Sequence, residues 1–127
     1  MIQPPILIPG DTIGITCPAG SIPLEKVQNC ILTLEKWGFK VKLGKTVGAK
    51  MDCFSASDAE RAMELQQMLD DANIKAVLCA RGGYGVSRII DQINFSGFNQ
   101  HPKWVIGFSD ITVLHAAIQK QNTMSIH

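Results

Sequence analysis

Apolar and polar positions change period along this chain in a repeating order. Ile13 to Thr16 form a short apolar run that reads as a strand, followed by the turn Cys17-Pro18-Ala19-Gly20. Leu24, Val27, Ile31 and Leu34 then recur at helical spacing, with Ser21 placed to cap that helix and Gly38 placed to stop it. Phe39 to Leu43 alternate as a second strand. After a loop of small and polar residues, Ser57-Asp58-Ala59-Glu60 has the spacing of a capping box, and Ala62, Leu65, Met68, Leu69 and Ala72 mark the apolar side of the helix it opens. Ala76 to Cys79 predict a third strand, and Val86, Ile89, Ile90 and Ile93 a short helix. Trp104 to Gly107 predict a fourth strand, with a last helix carrying Ile111, Leu114, Ala117 and Ile118. Thr123 to Ile126 read as the opening of a further strand.

Strand–helix alternation of this kind predicts an α/β fold: a doubly wound, flavodoxin-like, mostly parallel sheet with helices on both faces. The 127 residues make one domain by length, and no repeat, low-complexity stretch or linker divides them. In such sheets ligands bind at the carboxyl ends of the strands. That rule gathers three loops on one edge: Cys17–Gly20, Arg81–Gly85 and Phe108–Asp110.

Each loop carries candidate chemistry. Ser109 lies where a buried strand turns into a helix, which exposes a hydroxyl beside the free N–H groups of the helix start, as in a nucleophile elbow. Gly107 suits a close approach beneath it, whereas Ile111 stands where G-x-S-x-G would have its second glycine. The plainer reading is a serine that caps the helix. Arg81-Gly82-Gly83-Tyr84-Gly85 has three glycines in four positions, which let backbone approach a ligand and free N–H groups for an anion or oxyanion; Arg81 adds a planar fork suited to a carboxylate. Neither a dinucleotide fingerprint nor a phosphate-binding P-loop is present. A nucleophile, an oxyanion-stabilising backbone and a cation together suit acyl transfer or peptide hydrolysis.

Composition narrows the partners. A formal net charge of +1 gives no footprint for nucleic acid, and no apolar run reaches membrane-spanning length. The start, Met-Ile-Gln-Pro-Pro, lacks the basic and apolar regions of a signal peptide, so a cytoplasmic location is the default expectation. Cys17, Cys30, Cys53 and Cys79 form no C-x-x-C pair and have no histidine at zinc spacing, so no metal is expected. All four read as structural, with Cys17, beside the ligand edge, the better candidate for reactivity.

Gly10-Asp11-Thr12-Ile13-Gly14-Ile15 before the Pro18 turn, Arg81 to Gly85, and Pro102-Lys103 leading into Gly107-Phe108-Ser109-Asp110-Ile111-Thr112 occur in a family's order and spacing. The set resembles the LD-carboxypeptidases, the muramoyltetrapeptide carboxypeptidase family that includes the microcin C immunity peptidases. The resemblance runs through essentially the whole chain but covers only the family's N-terminal half. It implies a serine peptidase that removes a terminal D-alanine from murein tetrapeptides during cell-wall recycling, with no cofactor. Ser109 takes the place of the nucleophile. The Asp110 backbone N–H, with an N–H of Gly82 or Gly83, would form the oxyanion hole, and Arg81 and Tyr84 would line the substrate cleft.

A serine nucleophile needs a base, normally a histidine held by a carboxylate. In the family both come from a C-terminal domain that this chain does not include. His115 lies six residues after Ser109 on the same helix, about 9 Å along its axis and roughly 240° around it, and does not reach. His101 belongs at the opposite edge of the sheet. His127 follows the possible last strand, and the family gives the corresponding histidine no triad role. The expectation is a half-enzyme, inactive alone, whose uncovered apolar surface favours self-association, including a homodimer. The competing expectation is a non-catalytic module that holds a small anion or peptide at the same edge.

Overall fold

The computed structural model describes residues 1–127 and has four parallel strands in the order β2-β1-β3-β4: β1 Thr12–Thr16, β2 Lys40–Leu43, β3 Ile74–Cys79 and β4 Trp104–Ile106. This is the doubly wound α/β arrangement that the alternating pattern predicts. Parallel neighbours require a crossover connection. The chain leaves β1 to one side for β2 and returns past β1 to the other side for β3, which opens a crevice between the carboxyl ends of β1 and β3.

Side chains alternate across the strands and so divide the core in two. Val77, Cys79 and Val105 face α2 (Asp58–Asp70), α3 (Val86–Ile89, continued as a 3-10 turn to Gln92), α4 (Ser96–Gln100) and α5 (Thr112–Lys120), in a cluster of 16 buried residues. Ile15 and Leu78 face α1 (Leu24–Lys36), where only four residues are buried in the cluster: Ile15, Cys17, Val27 and Val47.

The capping box is present: Ser57 Oγ accepts the Glu60 N–H at 3.2 Å and Glu60 Oε2 accepts the Ser57 N–H at 3.0 Å. At the other end of α2, the buried Lys103 ammonium donates to the Met68 and Asp71 carbonyls at 3.0 and 2.6 Å, supplying donors where those of the helix backbone run out. Burial pushes the Lys103 amine down to about 8.

Several expectations need correction. Ser21 does not cap α1; Pro23 occupies that place, and no side chain caps the helix. The Ile22 carbonyl is instead taken by the Gly48 N–H, which keeps Ser21–Ile22 outside the helix. Thr123–Ile126 form no strand. Thr123 bridges Ile2 and Ile126 bridges Ile106, so the segment divides between two partners and runs alongside neither. The short helix α4 is not evident from the pattern, because Phe98 is its only buried residue.

Candidate active site

Trp104–Ile106 form the last strand, Phe108 is still extended, and Ser109 then turns abruptly to a φ of +61°. A left-handed serine is strained by about 1–3 kcal/mol and persists only where its surroundings hold it. The hold comes from both sides. Behind the turn, a Cβ on Gly107 would lie 2.9 Å from Ile111 Cγ2 and 3.0 Å from Cys79 Cβ, so no side chain fits. In front, a Cβ on Gly82 would lie 2.9 Å from Ser109 Cβ and 3.2 Å from its Oγ. The glycine loop is therefore pressed directly against the serine.

Ser109 is not a helix cap. It sits inside the 3-10 turn Ser109–Ile111 that precedes α5, Phe108 holds the cap position, and no side chain bonds the helix start. The serine is exposed to solvent.

The three loops expected on one edge do meet. The Gly20 N–H donates to the Gly82 carbonyl at 2.8 Å across the β1/β3 crevice. All peptides are trans, so the Gly83 N–H points away from Gly20. Neither Gly82 nor Gly83 uses its N–H within the chain. The Asp110 carboxylate is engaged away from the front of the edge. Its Oδ2 accepts the Val86 N–H at 2.9 Å, tying the turn after β4 to the end of the glycine loop. Arg81 is exposed and in none of the chain's ion pairs. Tyr84 is exposed at the rim and packs on Phe54 with ring centroids 5.9 Å apart.

The histidines serve elsewhere. His115 Nε2 donates to the Gly107 carbonyl at 2.7 Å and Nδ1 meets Ser125 Oγ at 2.7 Å, so both ring nitrogens are used beneath the turn. His127 packs on the His115 ring at 5.8 Å, and His101 is exposed just before β4 begins. Cys17 loses its claim to reactivity: it is fully buried, and that burial, aided by the Glu64 charge, pushes its thiol up to about 12.

Sequence reasoning missed Arg61. It lies on the buried face of α2 between Ser57 and Leu65, fully out of solvent. Its Nη1 donates to the Pro18 and Gly85 carbonyls at 2.8 and 3.0 Å, and Nε to the Ala56 carbonyl at 3.1 Å; Nη2 pairs with Asp58. An arginine within the apolar stripe of Ala62, Leu65 and Met68 was the available signal. A hollow of about 720 Å³ between α2 and the segment 42–51 shares no residue with the three loops.

The fold and this edge define an α/β domain with a serine held on a strained strand-to-helix turn against a glycine-rich loop. The chain belongs to the LD-carboxypeptidase family: residues 13–127 match its N-terminal domain. It is similar to a probable murein peptide carboxypeptidase of Bacillus subtilis, 44% identical over 121 residues, covering 95% of this chain and 38% of the relative. The murein tetrapeptide carboxypeptidase of Pseudomonas aeruginosa is 29% identical, over 91% of this chain and 38% of its own. Among solved structures, the microcin C7 self-immunity protein MccF bound to aspartyl sulfamoyl adenosine superposes with a TM-score of 0.87 at 26% identity, over 98% of this chain and 38% of that one. An active-site mutant of MccF, also similar to this chain, has a serine, an asparagine and a lysine replaced by alanine. The chain thus spans well under half the length of these relatives. No helix is long and apolar enough to cross a membrane.

Proposed function

We propose that these residues are the nucleophile-bearing portion of a serine-type L,D-carboxypeptidase, which releases terminal D-alanine from murein tetrapeptides in the cytoplasm as part of cell-wall recycling. The observation that carries this reading is Ser109 at φ +61°, exposed and pressed against Gly82. The serine replaced in the MccF active-site mutant and the murein substrates named for the relatives support it.

Ser109 Oγ attacks the carbonyl carbon of the L,D-peptide bond. The oxygen of the tetrahedral intermediate is stabilised by the Asp110 N–H and an N–H of Gly82 or Gly83, donors that the fold fixes before substrate arrives. Arg81 holds the substrate's terminal carboxylate, and Tyr84 forms a wall of the cleft. Collapse of the intermediate leaves an acyl-serine and frees D-alanine; water then hydrolyses the ester. The proton transfers need a base, and a glutamate–histidine pair from the remainder of the protein supplies it. Residues 1–127 without that pair therefore do not turn over substrate.

D-Alanine release from a murein tetrapeptide by the full-length protein tests the proposal. Wild type turns over, and Ser109→Ala folds but loses activity by several orders of magnitude. Near-normal turnover in the alanine variant would remove Ser109 from the mechanism. Tight binding of the peptide without any cleavage by wild type would favour the non-catalytic binding module.

A further inference from the structure

Arg61 directs a buried guanidinium at the backbone of loops that surround Ser109, although it lies in a different element. Nη1 bridges the Pro18 carbonyl of the first loop and the Gly85 carbonyl of the second, and Nε holds Ala56 at the entry to α2. The Gly85 carbonyl and the Val86 N–H belong to one peptide unit. Arg61 grips its oxygen side at 3.0 Å, while the Asp110 carboxylate grips its N–H side at 2.9 Å. The exit of the glycine loop is thus clamped between a buried cation and the residue that follows the serine. A Cβ on Gly85 would stand 2.7 Å from Arg61 Nη1, so the clamp closes only on glycine. At the other end of the loop, Gly82 is fixed by Gly20.

We propose that Arg61 and the Asp110 side chain are positioning residues, which hold the Gly82–Val86 segment at the distance from Ser109 that its N–H donors need to meet the reacting oxygen. This rests on the serine-peptidase reading for its catalytic consequence, but the clamp itself is a property of the loop. The guanidinium fork suits this role because one planar group reaches acceptors on three segments; a lysine ammonium replaces the charge but not that geometry. Asp58 anchors the far side of the guanidinium and also takes a two-nitrogen contact from Arg88, so Arg61 is itself held in place.

The test uses the full-length protein in four forms: wild type, Arg61→Lys, Asp110→Ala and Asp110→Asn. Hydrogen exchange over residues 81–88 reads the clamp, and D-alanine release reads its consequence. In Arg61→Lys and Asp110→Ala, exchange over this segment rises about tenfold while β1 and β3 stay protected. Their kcat falls about 10- to 100-fold with KM nearly unchanged, because misplaced donors cost transition-state stabilisation rather than substrate binding. Asp110→Asn, whose amide oxygen still accepts from Val86, recovers most of both. Should Arg61→Lys fail to fold, the alanine and asparagine pair at Asp110 decides. Unchanged exchange, or equal losses in Asp110→Ala and Asp110→Asn, would overturn the proposal. A wild-type protein that releases no D-alanine would instead defeat the functional reading, with hydrogen exchange still deciding whether the clamp exists.

Discussion

The back and the front of the Ser109 edge are built in opposite ways. At the back, the polar groups are paired: Arg61 with three carbonyls and Asp58, Asp110 with Val86, His115 with Gly107 and Ser125, and Gly82 with Gly20. At the front, Ser109, Arg81 and Tyr84 are exposed, and the Gly82 and Gly83 N–H groups are unused by the chain. The backing fixes geometry and the front leaves chemistry open to a substrate. On the proposed function, donors held this way need not be reoriented at the moment of reaction.

On that contrast, changes to the exposed side chains at the front abolish or redirect chemistry with little loss of stability, and changes to the loops and groups behind them alter stability or alignment. The largest effect belongs to Gly82→Val after the serine itself. Its Cβ would fall 2.9 Å from Ser109 Cβ, against a turn that has no room to retreat. D-Alanine release should fall about 100-fold or more, in line with the loss of an oxyanion donor, and kinetic assay of the full-length variant checks it. Retained activity would mean that the loop yields and the close contact is incidental.

Next comes the core behind the site. Leu65 is fully buried on α2, four residues after Arg61, and Leu65→Ala should cost about 2–5 kcal/mol. Denaturant unfolding measures this loss. A cost well under about 1 kcal/mol would show that the sheet face is loosely packed and cannot brace the serine.

Arg81→Ala should raise KM about tenfold for a peptide with a free terminal carboxylate, the scale of one charge-assisted bond, and change little for the amidated peptide. Equal effects on the two peptides would return Arg81 to the scaffold.

The smallest effect is a pH dependence of stability at Lys103. Its amine titrates near 8 in the fold, below the roughly 10.4 of an unfolded lysine. Between those values the unfolded chain binds the proton and the folded chain does not, so stability rises with pH across that window. Lys103→Met removes this rise; thermal melts at pH 7.5, 9 and 10.5, chosen to span about that window, compare the two proteins. A flat difference between them would contradict the shift.

Much of the scaffold was legible in the sequence because its signals are local. The four strands, the Ser57–Glu60 capping box and the helical stripe of Leu65, Met68 and Leu69 all lie within a few residues of the pattern that announces them. The convergence of the Gly20, Gly82 and Ser109 loops followed from the rule that puts loops after parallel strands on one edge. What stayed hidden depends on partners far along the chain. Arg61 finds Pro18 and Gly85 across 43 and 24 residues, and nothing near position 61 announces them. The Asp110 side chain was hidden for the same reason: the family resemblance points to its backbone N–H, while its carboxylate bonds Val86. Ser21 failed as a cap because the distant Gly48 N–H takes the Ile22 carbonyl. Thr123–Ile126, read as the opening of a strand, lack one continuous neighbour to pair with.

The central claim is that Ser109 is a nucleophile held ready on its turn. Treating the full-length protein with a fluorophosphonate and mapping the adduct by peptide mass spectrometry tests it most directly. One adduct is expected, on Ser109, and none in Ser109→Ala. An adduct on another serine, or an unmodified Ser109 in a protein that cleaves murein peptides, would contradict it.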